Sequence, residues 1–241
     1  MAGLRFRNSV IKFFSTNDAL PLIFSGKIIE GDLGPRPCRV GGERWITFSV
    51  AEVLFGFPPG NHVRLLYTNC GNVDPRLTTG ENLLVFAVRA YSDWTSTAAF
   101  LQPETAENQR IARAIAESYL NQQIVTFKGH HTNWEKLVFV GTVTDLWPKP
   151  KSQAVSACKQ ALPFRVGFKL DQLVFGSWPN KQVTVVFSAC GPPPDPPIRV
   201  YGRMIVLAGV ARNGEAYGYL QWVLPINEIE RVRAHFQSSS P

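Results

Sequence analysis

The chain is written twice. Phe55-Gly56 recurs as Phe175-Gly176, Cys38 recurs as Cys158 and Cys70 as Cys190, each pair offset by the same 120 positions. A constant offset of that length is the mark of one module used twice, so the 241 residues divide into two domains rather than folding as one. The reading is a lead-in over 1–19, a first module over 20–120 and a second over 121–241. Each module is long enough for its own core, and with 45% hydrophobic residues, including 16 Phe and 6 Trp, there are large apolar side chains to fill it.

Within each module the periods are those of strands. Phe164, Val166, Phe168 and Leu170 alternate with Arg165, Gly167, Lys169 and Asp171, which predicts a strand with one face buried. Ile46, Phe48 and Val50 play that part in the first module. Ahead of them, Leu20–Glu30 and Lys136–Asp145 read as first strands, each interrupted by a glycine, Gly26 or Gly141, as a bent or bulged strand would be. Third strands are expected at His62–Thr68 and Gln182–Ser188. The unbroken apolar runs Leu83–Val88 and Met204–Ala208 predict fourth strands covered on both faces. Shorter fifth strands fit near Thr97–Leu101 and Tyr217–Leu224. Each module then closes in a helix, from Pro103 to about Leu120 and from Pro225 to about Phe236, with acidic residues in the first turn.

Five short strands and a helix, taken twice, predict a mainly β protein: two tandem five-stranded Greek-key barrels of the oligonucleotide/oligosaccharide-binding (OB) type, each followed by a helix. The residues also carry a family resemblance. Phe24-Ser-Gly26-Lys-Ile28, an alternating strand ending in Phe-Gly, a Cys-Gly break, and Gly80-Glu81-Asn82-Leu83-Leu84-Val85-Phe86-Ala87 together resemble the netrin-like domain family, which includes the tissue inhibitors of metalloproteinases. The likeness spans about 100 residues of each module and is weaker in the second, where Gly202–Ala208 stands in. It implies an extracytoplasmic setting. The inhibitors in that family chelate zinc through an N-terminal Cys-x-Cys, and no Cys precedes Cys38 here, so inhibition by that route does not carry over.

Both cysteine pairs are 32 residues apart. In an up-down-up meander the first and third connections emerge at one end, which predicts disulfides Cys38–Cys70 and Cys158–Cys190, each contributing on the order of 3 kcal/mol. Four free thiols remain the alternative, since Val10–Phe14 is too short and too interrupted by Lys12 for an export signal. No cysteine pair has the two-to-four spacing of structural zinc sites, and His130-His131 reads as a solvent-exposed loop pair. No nucleophile elbow, phosphate-cradling Gly-rich loop or His-Glu-x-x-His occurs, and Asp32, Asp74 and Asp145 sit in turn contexts. The expectation is therefore a soluble binding protein with no catalytic, cofactor or metal residues.

Charge points to one surface. Residues 1–120 hold 12 Lys/Arg against 11 Asp/Glu, while 121–241 hold 13 against 7, so the second module carries +6 of the net +7. Lys149, Lys151 and Lys159 lie near Trp147 in its first connection, with Arg165 and Lys169 on the next strand, where barrels of this type take ligands. The first module has no matching lysines. The leading expectation is a protein partner held by barrel-end loops; the alternative is single-stranded nucleic acid or another polyanion on the basic second module.

Overall fold

A computed structural model of the chain describes residues 9–11, 14, 20–31, 43–58, 60–68, 80, 82–89, 96–130, 133–147, 162–189, 202–219 and 222–237. All four cysteines, Lys149, Lys151, Lys159, Asp32, Asp74 and His131 lie outside the described residues. The protein is mainly β and groups into two units, Met1–Tyr119 and Leu120–Pro241.

In the first unit, β1 (Leu20–Gly31), β2 (Glu43–Phe55), β3 (His62–Thr68), β4 (Leu83–Arg89) and β5 (Ser96–Pro103) close a barrel in the order β1-β2-β3-β5-β4. All neighbours are antiparallel except β3 and β5, and this is the order of an OB-like barrel. Alternation builds the core: Leu22, Phe24, Ile46, Phe48, Val63, Leu65, Tyr67, Val85 and Ala87 all face inward. The rings of Phe24 and Phe48 meet edge to face at 5.7 Å. As its continuous apolar run requires, β4 is buried on both faces. Val10 and Phe14 are buried as well, and Phe14 meets Tyr119 edge-on at 6.0 Å.

The second unit repeats this pairing. Its strands are β6 (Glu135–Trp147), β7 (Leu162–Phe175), β8 (Gln182–Ala189), β9 (Arg203–Val210), β10 (Ala216–Tyr219) and β11 (Val223–Pro225). The pairings β6–β7, β7–β8, β8–β10, β10–β9 and β9–β6 make a ring, again with one parallel neighbour, β8 with β10. The expected single fifth strand over Tyr217–Leu224 is instead two pieces. Both pair with β9: Ala216 lies opposite Val210, and Pro225 opposite Met204, as Ser96 and Pro103 lie opposite Arg89 and Leu83 in the first unit. Between the pieces, Trp222 is buried against Tyr219 and Phe127.

Details of the first barrel recur in the second. Register breaks fall at Ile23/Phe24, Ser25/Gly26 and Ile28/Glu30 of β1, and at Val138/Phe139, Val140/Gly141 and Val143/Asp145 of β6. Gly56 and Gly176 both have positive φ, 92° and 86°, and a side chain at either would collide with a carbonyl oxygen, that of Pro21 or of Lys136. Only glycine turns the chain there. Phe139 and Phe168 meet edge to face at 5.5 Å, as Phe24 and Phe48 do.

Helix α1 (Ala106–Gly129) begins where Thr105 Oγ1 accepts the Asn108 N–H at 3.1 Å, an N-cap. It runs nine residues past the expected end near Leu120, because Ile124 and Phe127 are fully buried and that burial outweighs the modest helix propensity of Ile124-Val125-Thr126. Helix α2 (Ile229–Gln237) buries Val232 and Phe236. Two further expectations are corrected. His130 packs edge-on against Tyr219 and Trp222, each at 5.1 Å, rather than lying in solvent. Asp145 is a strand residue opposite Gly167, not part of a turn.

Candidate ligand face of the barrels

In each barrel the second and third strands turn one row of side chains into the core and the other outward. Among the cross-strand pairs on the outward row of β2 and β3 are Trp45 opposite Leu66, Thr47 opposite Arg64, and Ser49 opposite His62. Trp45 and Arg64 are diagonal neighbours, and the guanidinium carbon of Arg64 lies 4.7 Å from the centroid of the Trp45 ring. That cation–π contact occupies a half-buried indole with an exposed arginine. It sets an aromatic surface and a positive charge side by side on the barrel wall.

The corresponding pairs in the second barrel are Arg165 opposite Val186, Gly167 opposite Thr184, and Lys169 opposite Gln182. The cation has moved to the tryptophan's place. Around it is a groove of about 690 Å³, lined among others by Arg165, Trp178, Lys181, Gln182, Thr184 and Glu215. The turn joining β7 and β8 brings in Trp178, whose indole N–H donates to the Gln182 carbonyl at 2.9 Å. Glu215 comes from the turn joining β9 and β10. There Gly214 donates its N–H to Ala211 O (2.9 Å), and Ala211 donates its own to Glu215 O (3.0 Å).

The carboxylate of Glu215 is held in place. Its Oε2 accepts hydrogen bonds from Tyr217 OH at 2.6 Å and Asn213 Nδ2 at 2.9 Å, and its Oε1 lies 3.6 Å from Arg165 Nη2. Hydrogen bonds from Tyr217 and Asn213, with the Arg165 charge adding to them, hold this carboxyl below its ordinary range against a smaller opposing effect of desolvation. It is an anion at neutral pH.

Of the residues singled out from the sequence, Arg165 lines the groove, and Lys169 stands exposed four residues along the same strand. Trp147 is the last residue of β6, directly opposite Arg165 in the ladder. Sequence reasoning missed Trp45, Arg64, Trp178, Lys181 and Glu215. The signal that could have found the first two was the strand period itself, since both fall on the outward rows of strands read correctly.

Among the described residues no group of three His, Cys, Asp or Glu is arranged to hold a metal ion, and no helix is long and apolar enough to cross a membrane. No family model matches the chain, and no curated protein matches it. Among solved structures, the crystal structure of fission yeast Pot1 and single-stranded DNA is similar over 89% of this chain and 88% of that one, at 10% sequence identity and a TM-score of 0.25.

Proposed function

We propose that the chain is a non-catalytic binding protein that holds single-stranded nucleic acid against the second- and third-strand faces of its barrels. The observation that carries this reading is Arg64 lying over Trp45 on that face of the first barrel. A base can stack on the indole while the guanidinium draws the phosphate, and neither contact depends on sequence. In barrels of this type the same wall is the usual ligand surface. The second barrel adds Lys169 and Lys181 to its face, and residues 121–241 carry 13 Lys/Arg against 7 Asp/Glu. The matched register breaks, positive-φ glycines and ring pairs support a duplicated module, and the Gly80–Ala87 segment supports a netrin-like origin for it.

Salt dependence tests the reading. With Arg64, Lys169 and Lys181 each neutralising a phosphate, log K for a single-stranded oligonucleotide should fall against log salt with a slope of roughly −2. A slope near zero, or no binding, removes the proposal. One observation favours a protein partner instead: Leu173 and Phe175, on one side of the β7 end, are 38% and 36% exposed. An apolar contact there would change little with salt.

A further inference from the structure

A groove built only to track phosphates has no use for a carboxylate, yet Glu215 lines this one and is fixed by its neighbours. Its two oxygens are not equivalent. Oε2 accepts from both Tyr217 and Asn213, which uses its two lone-pair directions. Oε1 has Arg165 at 3.6 Å, an ion-pair distance longer than an N–H···O hydrogen bond. Among the described residues Oε1 has no hydrogen-bond donor, and an ionised carboxylate can only accept. Its charge repels a phosphate.

Unpaired bases supply donors along their Watson–Crick edges. Cytosine, adenine and guanine each carry an exocyclic amine there. Thymine and uracil present carbonyl oxygens in its place, and their single ring N–H is flanked by two such acceptors. A fixed carboxylate therefore attracts the first group and opposes the second, which is the logic by which Glu and Asp pair with the cytosine amine. Trp178 in the same groove offers a ring for the base, and Lys181 a charge for the phosphate that follows it. The first barrel's face, with Trp45 under Arg64, stacks any base.

Resting on the nucleic-acid reading above, we propose that Glu215 makes the groove of the second barrel a base-reading site that takes a base bearing an exocyclic amine and rejects thymine and uracil. The two barrels then differ in role: the first supplies affinity without regard to sequence, and the second supplies selectivity.

Fluorescence anisotropy of the full chain with oligo(dC) and oligo(dT) of equal length tests this. Oligo(dC) should bind tighter by about tenfold, the lower part of the range for one well-made base contact. Glu215→Gln, which turns an acceptor-only group into one that also donates, should bring the ratio to about twofold or less. Trp45→Ala should weaken both strands and leave the ratio unchanged. A change to the ligand avoids any question of folding: N4,N4-dimethylcytosine has lost its amine donors, and an oligonucleotide built from it should bind the wild-type chain no better than oligo(dT). Equal binding of oligo(dC) and oligo(dT) overturns the inference and leaves the proposed function standing. A cytosine preference that survives dimethylation or Glu215→Gln also overturns it. Failure of both strands to bind overturns both.

Discussion

Replacing Trp45 by alanine should cost the proposed ligand one stacking surface, and the size of the loss can be worked from the contacts. A base stacked on an aromatic side chain is worth ~1–3 kcal/mol. The Trp45 ring, however, already holds Arg64 at 4.7 Å, and an exposed cation–π pair of ~0.5–1 kcal/mol must yield before a base can take its place. The net loss expected for Trp45→Ala is therefore about 1–2 kcal/mol, or roughly 5- to 30-fold in Kd. Its salt slope should match that of the wild type, because no charge is removed. Arg64→Ala should behave differently. It gives up one phosphate contact, so its slope should flatten by about 0.7, while the uncovered indole becomes easier to reach. Its affinity should fall below wild type at about 50 mM salt and approach it at about 200 mM. Anisotropy of a labelled oligonucleotide across that salt range measures both effects. A Trp45→Ala chain that binds within twofold of wild type, with its fold intact, would refute the reasoning.

Three further outcomes concern the barrels themselves. Gly56→Ala and Gly176→Ala should each lose more than about 2 kcal/mol of unfolding free energy in denaturant titrations, since positive φ strains alanine and the added carbon meets a carbonyl oxygen; Gly60→Ala, which faces open space, is the control, and equal losses at all three would contradict the account. Burial of Tyr119 pushes its phenol far above the ordinary value of 10.0. Because the unfolded phenol ionises first, the stability it contributes is complete below pH 10.0 and is lost as pH rises beyond it; Tyr119→Phe should flatten that alkaline loss, and an unchanged alkaline slope would remove the claim. Alkylation without reductant should leave Cys38, Cys70, Cys158 and Cys190 unlabelled if both predicted disulfides form, whereas four adducts would end that pairing.

Much of the barrel was legible because period-two alternation is a local signal. Phe164 to Leu170 declares one face of β7, and the unbroken Leu83–Val88 run announces a strand with both faces covered. The split of the last strand was not legible: β10 lies parallel to β8, a pairing set by closure of the ring, and Trp222 is buried by residues as distant as Phe127. Nor was the length of α1, whose second half is held by burial rather than propensity. For the candidate site, the basic cluster of the second module pointed to Arg165 and Lys169 on the strand after its first connection, but Arg64 was not legible, because its meaning depends on the register that sets it diagonal to Trp45. Glu215 carries no local signal in the sequence; its turn places it beside Arg165, fifty residues earlier in the chain.

The central claim is that bases rest on the outward face of the second and third strands. Ultraviolet crosslinking of an iodouracil-substituted single strand to the full chain, followed by peptide mapping, tests it most directly. The account predicts adducts at Trp45 on β2 that disappear in Trp45→Ala. Adducts confined to other elements, such as helix α2 or the exposed Leu173–Phe175 end of β7, would contradict it.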